Sequence, residues 1–170
     1  MIASLLGVVL LLASTAGTAP RGSLAQVTGG ACVSEHAVYA VNGQDGRPVG
    51  KLRFSVDPEP RAWSDLLVIV ADTENGRSWT FHLTASNGYS LNYLLPQDEA
   101  AFSESLRIFF FRKDAHGALK TVAIPQSGEP APDALFTPTL GLELWYATNV
   151  DANRTHFPAE IWYRTACDEG

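Results

Sequence analysis

Leu66-Leu67-Val68-Ile69-Val70-Ala71-Asp72-Thr73-Glu74-Asn75-Gly76-Arg77-Ser78-Trp79-Thr80-Phe81-His82-Leu83-Thr84-Ala85-Ser86-Asn87-Gly88-Tyr89-Ser90-Leu91-Asn92-Tyr93-Leu94-Leu95 carries the fold of this chain. Its first six residues form a short apolar run, as a strand covered on both faces does. In the second run Trp79, Phe81 and Leu83 alternate with Thr80, His82 and Thr84, and in the third Tyr89, Leu91, Tyr93 and Leu95 alternate with Ser90, Asn92 and Leu94. A period of two places alternate side chains on opposite faces of a strand. Asn75-Gly76 and Asn87-Gly88 separate the runs, and Asn-Gly accepts the positive φ angles of a tight hairpin turn. Three strands in an antiparallel meander follow.

The same pattern extends outward. Leu52, Phe54 and Val56 alternate with Lys51, Arg53 and Ser55, and further strands are expected at residues 37–41, 50–56, 106–112, 119–124, 140–148 and 160–167. Residues 97–102 and 132–136 suit short helical turns, the second opening at Asp133. No window has the periodicity of a long amphipathic helix. The stretch 125–138 holds four prolines and reads as a surface connection, because missing amide donors are a fault inside a sheet. About nine short strands with at most short helical turns give an all-β fold, an antiparallel sandwich or barrel.

The chain has 170 residues, 46% of them hydrophobic, with four Trp, eight Phe and five Tyr. That excludes a disordered chain and suits one domain with an adequate core. With 18 acidic against 12 basic residues, the net charge of −6 argues against nucleic acid as partner. Residues 5–13 are an apolar run followed by small residues, too short to cross a bilayer and suited to a secretory signal. Cleavage after Ala25, or after Ala16, satisfies the small-x-small rule. The expected organisation is a cleaved signal peptide at 1–25 and one all-β domain at 26–170, secreted or periplasmic, with no membrane span after signal removal. No Lys or Arg precedes the apolar run, a departure from the usual signal.

Cys32 and Cys167 stand near the two ends of the mature segment, and in an oxidising compartment they are expected to form a disulfide. In the chain-entropy model, a closed loop of about 135 residues stabilises the fold by roughly 5 kcal/mol.

Glu143-Leu144-Trp145-Tyr146-Ala147-Thr148 and Glu160-Ile161-Trp162-Tyr163-Arg164-Thr165 share one pattern. Read as two strands with Leu144, Tyr146, Ile161 and Tyr163 inward, they turn Trp145, Trp162, Glu143, Glu160 and Arg164 outward as a candidate ligand-binding surface. Flat aromatic faces bind at low entropy cost, and charged neighbours orient a ligand. The bland alternative is that this second face is itself covered. Glu143 and Glu160 make a poor glycosidase pair: hairpin pairing sets them on the order of 16 Å apart, against roughly 5–9.5 Å in such enzymes.

His36, His82, His116 and His156 are isolated, and no motif points to a metal or any other cofactor. Gly88-Tyr89-Ser90 lacks the second glycine of a nucleophile elbow. The segment 72–76 resembles a calcium loop only in part, with its glycine one position early. Asn153-Arg154-Thr155 is a glycosylation sequon. No catalytic residue is assigned. The expected function is a binding module for a protein or glycan partner. Its rivals are a small extracytoplasmic hydrolase assembled by the fold from His82, His116, His156, Glu143 or Glu160, and an inhibitor or immunity-type protein presenting loops such as 72–77.

Overall fold

A computed structural model of the chain describes residues 31–60, 63–86, 91–97, 102, 106–149, 154–159 and 161–168. The expected signal peptide, the Asn87-Gly88 turn, the Gly88-Tyr89-Ser90 string, Asn153 and Glu160 lie outside them, as does most of the helical turn expected at 97–102. A 3-10 turn at Ser34–His36 leads into nine strands: β1 (Ala37–Asn42), β2 (Pro48–Val56), β3 (Leu66–Asp72), β4 (Ser78–Ala85), β5 (Asn92–Pro96), β6 (Leu106–Lys113), β7 (Leu119–Val122), β8 (Ala134–Phe136) and β9 (Ile161–Cys167). One helix, α1 (Leu140–Ala147), lies between β8 and β9.

The strands form one antiparallel sheet in the order β5-β4-β3-β2-β1-β9-β8-β6-β7, and β5 pairs with β6 as well. That last pairing closes eight strands into a barrel and leaves β7 as an extra strand on β6. Of the two alternatives, sandwich and barrel, the barrel is the one formed. Closure removes exposed strand edges, which in an open sheet invite association.

The expected meander is present as β3, β4 and β5. Leu67 pairs with His82 and Val68 with Phe81; Leu83 pairs with Leu94 and Thr84 with Tyr93. The first turn behaves as Asn-Gly predicts, with Gly76 at φ 68°. In β5 the inward phase differs from the simple reading: Leu94 is buried and Leu95 exposed, because Leu94 sits opposite the inward Leu83. Along β3, Leu66, Val68 and Val70 are fully buried while Ile69 and Ala71 on the outer face are half-covered.

An eight-stranded barrel has an interior that side chains can fill. Here Tyr39, Leu52, Phe54, Leu66, Phe81, Leu83, Leu94, Ile108, Phe110, Leu135 and Trp162 fill it. Each such burial contributes roughly 1.5–3 kcal/mol. Tyr39 stands edge-on to Phe54 at 5.7 Å, and Phe157 edge-on to Trp162 at 5.4 Å.

Two local expectations are corrected. Residues 140–147 form a helix, not a strand, because Leu140 and Leu144, four residues apart on one helical face, are both fully buried against the barrel core. Residues 134–136 form a strand, not a helical turn, because Leu135 pairs with Phe110 on one side and Trp162 on the other. The two similar hexapeptides thus fold differently, one as helix and one as strand.

Cys32 and Cys167 are disulfide-bonded, with Cα atoms 5.8 Å apart. The bond lies where Ala37 pairs with Cys167 and where the amide of Ala131 donates to the Cys32 carbonyl. No helix among the described residues is long and apolar enough to cross a membrane. Both observations are compatible with an extracytoplasmic location.

Candidate functional site

The hairpin connections fix which side chains share an end of the barrel. The β1–β2 and β3–β4 turns, α1 and residues 154–159 lie at one end. The β2–β3 and β6–β7 connections and the disulfide lie at the other.

At the α1 end the organising residue is Asp72, at the tip of β3 and 3% exposed. Its Oδ2 accepts from Thr155 Oγ1 at 2.6 Å and from Asn75 Nδ2 at 2.8 Å. Its Oδ1 accepts from the amides of Glu74 and Asn75. Burial by itself raises the Asp72 pKa, but the bonds from Thr155 and Asn75 favour the ionised form more strongly and hold it below the ordinary carboxylate value. The partial likeness to a calcium loop is therefore hairpin chemistry. Asp72 is buried and used within the fold, so a loop 72–77 offered to a basic target does not present it.

Thr155 continues the chain of bonds. Its amide donates to Thr148 Oγ1, which itself donates to the Leu144 carbonyl one turn back in α1. The end of the helix, the returning segment and the β3–β4 hairpin are one hydrogen-bonded unit. On this support α1 turns Leu142 and Tyr146 outward, at 55% and 56% exposure. Trp145 is half-buried, edge-on to Tyr146 at 5.0 Å, and the Arg154 guanidinium lies 4.7 Å from its ring centroid. Cation and indole attract through the ring quadrupole.

Of the five residues expected to share an outward face, the four described ones do not share one. Trp145 and Glu143 lie on α1, both half-buried. Trp162 is 1% exposed, and its indole N–H donates to Thr137 Oγ1 at 2.9 Å. It is a core residue, because Leu135, which it pairs with, points inward. Tyr163, expected inward, is exposed instead. Arg164 belongs to the disulfide end, where it donates to Asp133 Oδ1 at 2.8 Å and to the Ala131 carbonyl. There Tyr39 donates to the Pro132 carbonyl, and burial raises its phenol pKa far above the ordinary value. Leu142 and Arg154 were not expected at a ligand surface from the sequence, and Tyr146, expected inward, is exposed instead. The signal for Leu142 and Tyr146 was the i, i+4 spacing of Leu140 and Leu144, which makes 142 and 146 the opposite face of a helix.

The histidines sit apart. His116 is exposed in the β6–β7 turn, where the amides of His116 and Ala118 donate to Asp114 Oδ1. His156 is exposed in the segment before β9. Among the described residues no group of three His, Cys, Asp or Glu side chains could hold a metal ion. His82 has one acidic partner: its Nδ1 lies 2.8 Å from Asp57 Oδ2, with the Asp57 side chain 4% exposed. The fold does not bring His116, His156 or Glu143 to this pair.

No family model, curated protein or solved structure matches the chain.

Proposed function

We propose that this chain is an extracytoplasmic β-barrel that works by binding a protein partner through the surface made by Leu142, Trp145, Tyr146 and Arg154. The observation that carries the reading is the exposure of Leu142 and Tyr146 on a helix whose other face is anchored in the core. Aromatic residues and Arg on rigid support are the composition of interface hot spots, since little side-chain freedom is lost on contact. The interior is filled with side chains, which turns attention to the outside of the barrel. A protein is favoured over a glycan because Arg154 already lies over the Trp145 ring that a sugar would stack on, and Trp162 is in the core.

The test is site-specific photocrosslinking on producing cells, with the probe at position 146 and, as a control, at exposed Ala115 in the β6–β7 turn. A discrete crosslinked species at 146 and not at 115 is expected. Tyr146→Ser and Leu142→Ser should each weaken that complex by about 30-fold while leaving the melting temperature unchanged. Equal crosslinking at both positions, or full affinity in both variants, rejects the reading.

A further inference from the structure

On the outer side of β3 and β4 a cleft of about 210 Å³ is lined by Asp57, Pro58, Glu59, Leu67, His82 and Gln97. We propose that it is a binding site for a small neutral ligand rich in hydroxyl groups, of the size of a single sugar ring, with His82 Nε2 as its central polar contact. The inference is independent of the partner surface on α1.

The chemistry follows from Asp57. It closes β2 into the β2–β3 connection, and its backbone is fixed by donation of its amide to the Asp65 carbonyl. Its Oδ1 accepts from the Glu59 amide, and its Oδ2 faces His82 Nδ1. A carboxylate oxygen accepts, so Nδ1 donates to Asp57 and Nε2 is the ring nitrogen left for the cleft. Nε2 has no hydrogen-bond partner among the described residues, nor is it a buried orphan, so it is open to the cleft. A histidine serving only to pin the loop would need Nδ1 alone. Here the second nitrogen is presented in a concavity that also holds the Glu59 carboxylate and the Gln97 amide.

Glu59 and Gln97 are exposed on the rim and add a carboxylate and an amide that both donates and accepts. Hydroxyl groups both donate and accept, as a lining of carboxylate, amide and imidazole requires, and the Glu59 charge disfavours anions. Leu67 and Pro58 supply an apolar wall for the C–H face of a ring. The volume is below the roughly 300 Å³ at which drug-sized pockets begin, so the ligand is small.

The full chain, labelled with 15N in its histidines, is titrated with glucose, galactose, mannose and glycerol while the imidazole nitrogens are followed by NMR. Tetramethylammonium and inorganic phosphate form separate arms. A saturable shift of His82 Nε2 with one of the sugars, at about millimolar affinity, is expected. Affinity falls by about tenfold in His82→Gln and by several-fold in Glu59→Gln, whose exposed site leaves folding intact. The proposal is overturned if no sugar or polyol moves the His82 signals at tens of millimolar. It is also overturned if both variants bind as the parent does, or if only the ammonium or phosphate arm responds.

Discussion

Asp72→Asn keeps the shape of the side chain and removes its charge, so it isolates what this one carboxylate contributes. An asparagine oxygen can serve the amides of Glu74 and Asn75, but its NH2 then meets the donors Thr155 Oγ1 and Asn75 Nδ2 where Oδ2 had accepted them. Two bonds to a charged group are lost at ~1.5 kcal/mol each, or about 3 kcal/mol together. With an unfolding entropy of about 0.3 kcal/mol/K for a domain of roughly 140 residues, the melting temperature falls by roughly 10 °C. The pH dependence has a definite sign. Because the folded carboxyl lies below its ordinary value of 3.8, its stabilisation is fully present above that value and lost as pH falls through the folded pKa. Urea unfolding followed by Trp fluorescence should therefore give a constant gap between parent and variant above about pH 5, narrowing below about pH 3.5. A gap smaller than ~1 kcal/mol at neutral pH, or one that does not narrow in acid, refutes the reasoning.

Reduction of Cys32–Cys167, or the pair Cys32→Ser and Cys167→Ser, opens a loop spanning 135 residues and should cost up to about 5 kcal/mol. The β1–β9 pairing persists without the bond, so the far-UV spectrum of the cold protein stays the same while calorimetry shows a melt lowered by up to roughly 17 °C. An unchanged melt after complete reduction contradicts this. Gly50→Ala places a methyl 2.9 Å from both Phe157 Cε1 and Trp162 Cη2, and 3.0 Å from Val41 Cγ1. Overpacking of this kind costs about 1–3 kcal/mol, and a variant as stable as the parent in urea would show that the ring pair shifts freely.

Most strands were legible because their signal is local. Leu52 and Phe54 alternating with Lys51 and Arg53 state the inward face of β2, and Asn75-Gly76 states its own turn. The surface proposed for binding was legible only at Trp145. Leu140-Gly141-Leu142-Glu143-Leu144-Trp145-Tyr146 alternates like a strand as readily as it satisfies one helical face, and a short apolar run does not distinguish the two. Trp162 was read on the wrong side because an apolar neighbour on each flank allows either phase.

The sequence by itself determined an antiparallel all-β fold and the two cysteines available to tie its ends, since turn residues, two-residue periodicity and cysteine count are properties of the chain. Tertiary structure alone decided the rest. An open end of the barrel accepted Leu140 and Leu144 together, which made 140–147 a helix and exposed Leu142 and Tyr146. Pairing with Leu135 sent Trp162 inward, and closure of β2 onto β3 and β4 brought Asp57 to His82 across 25 residues. The physical reason is the same in each case. Which face a side chain takes, and which distant group completes its hydrogen bonds, is set by the burial of surfaces that meet only after the sheet has closed.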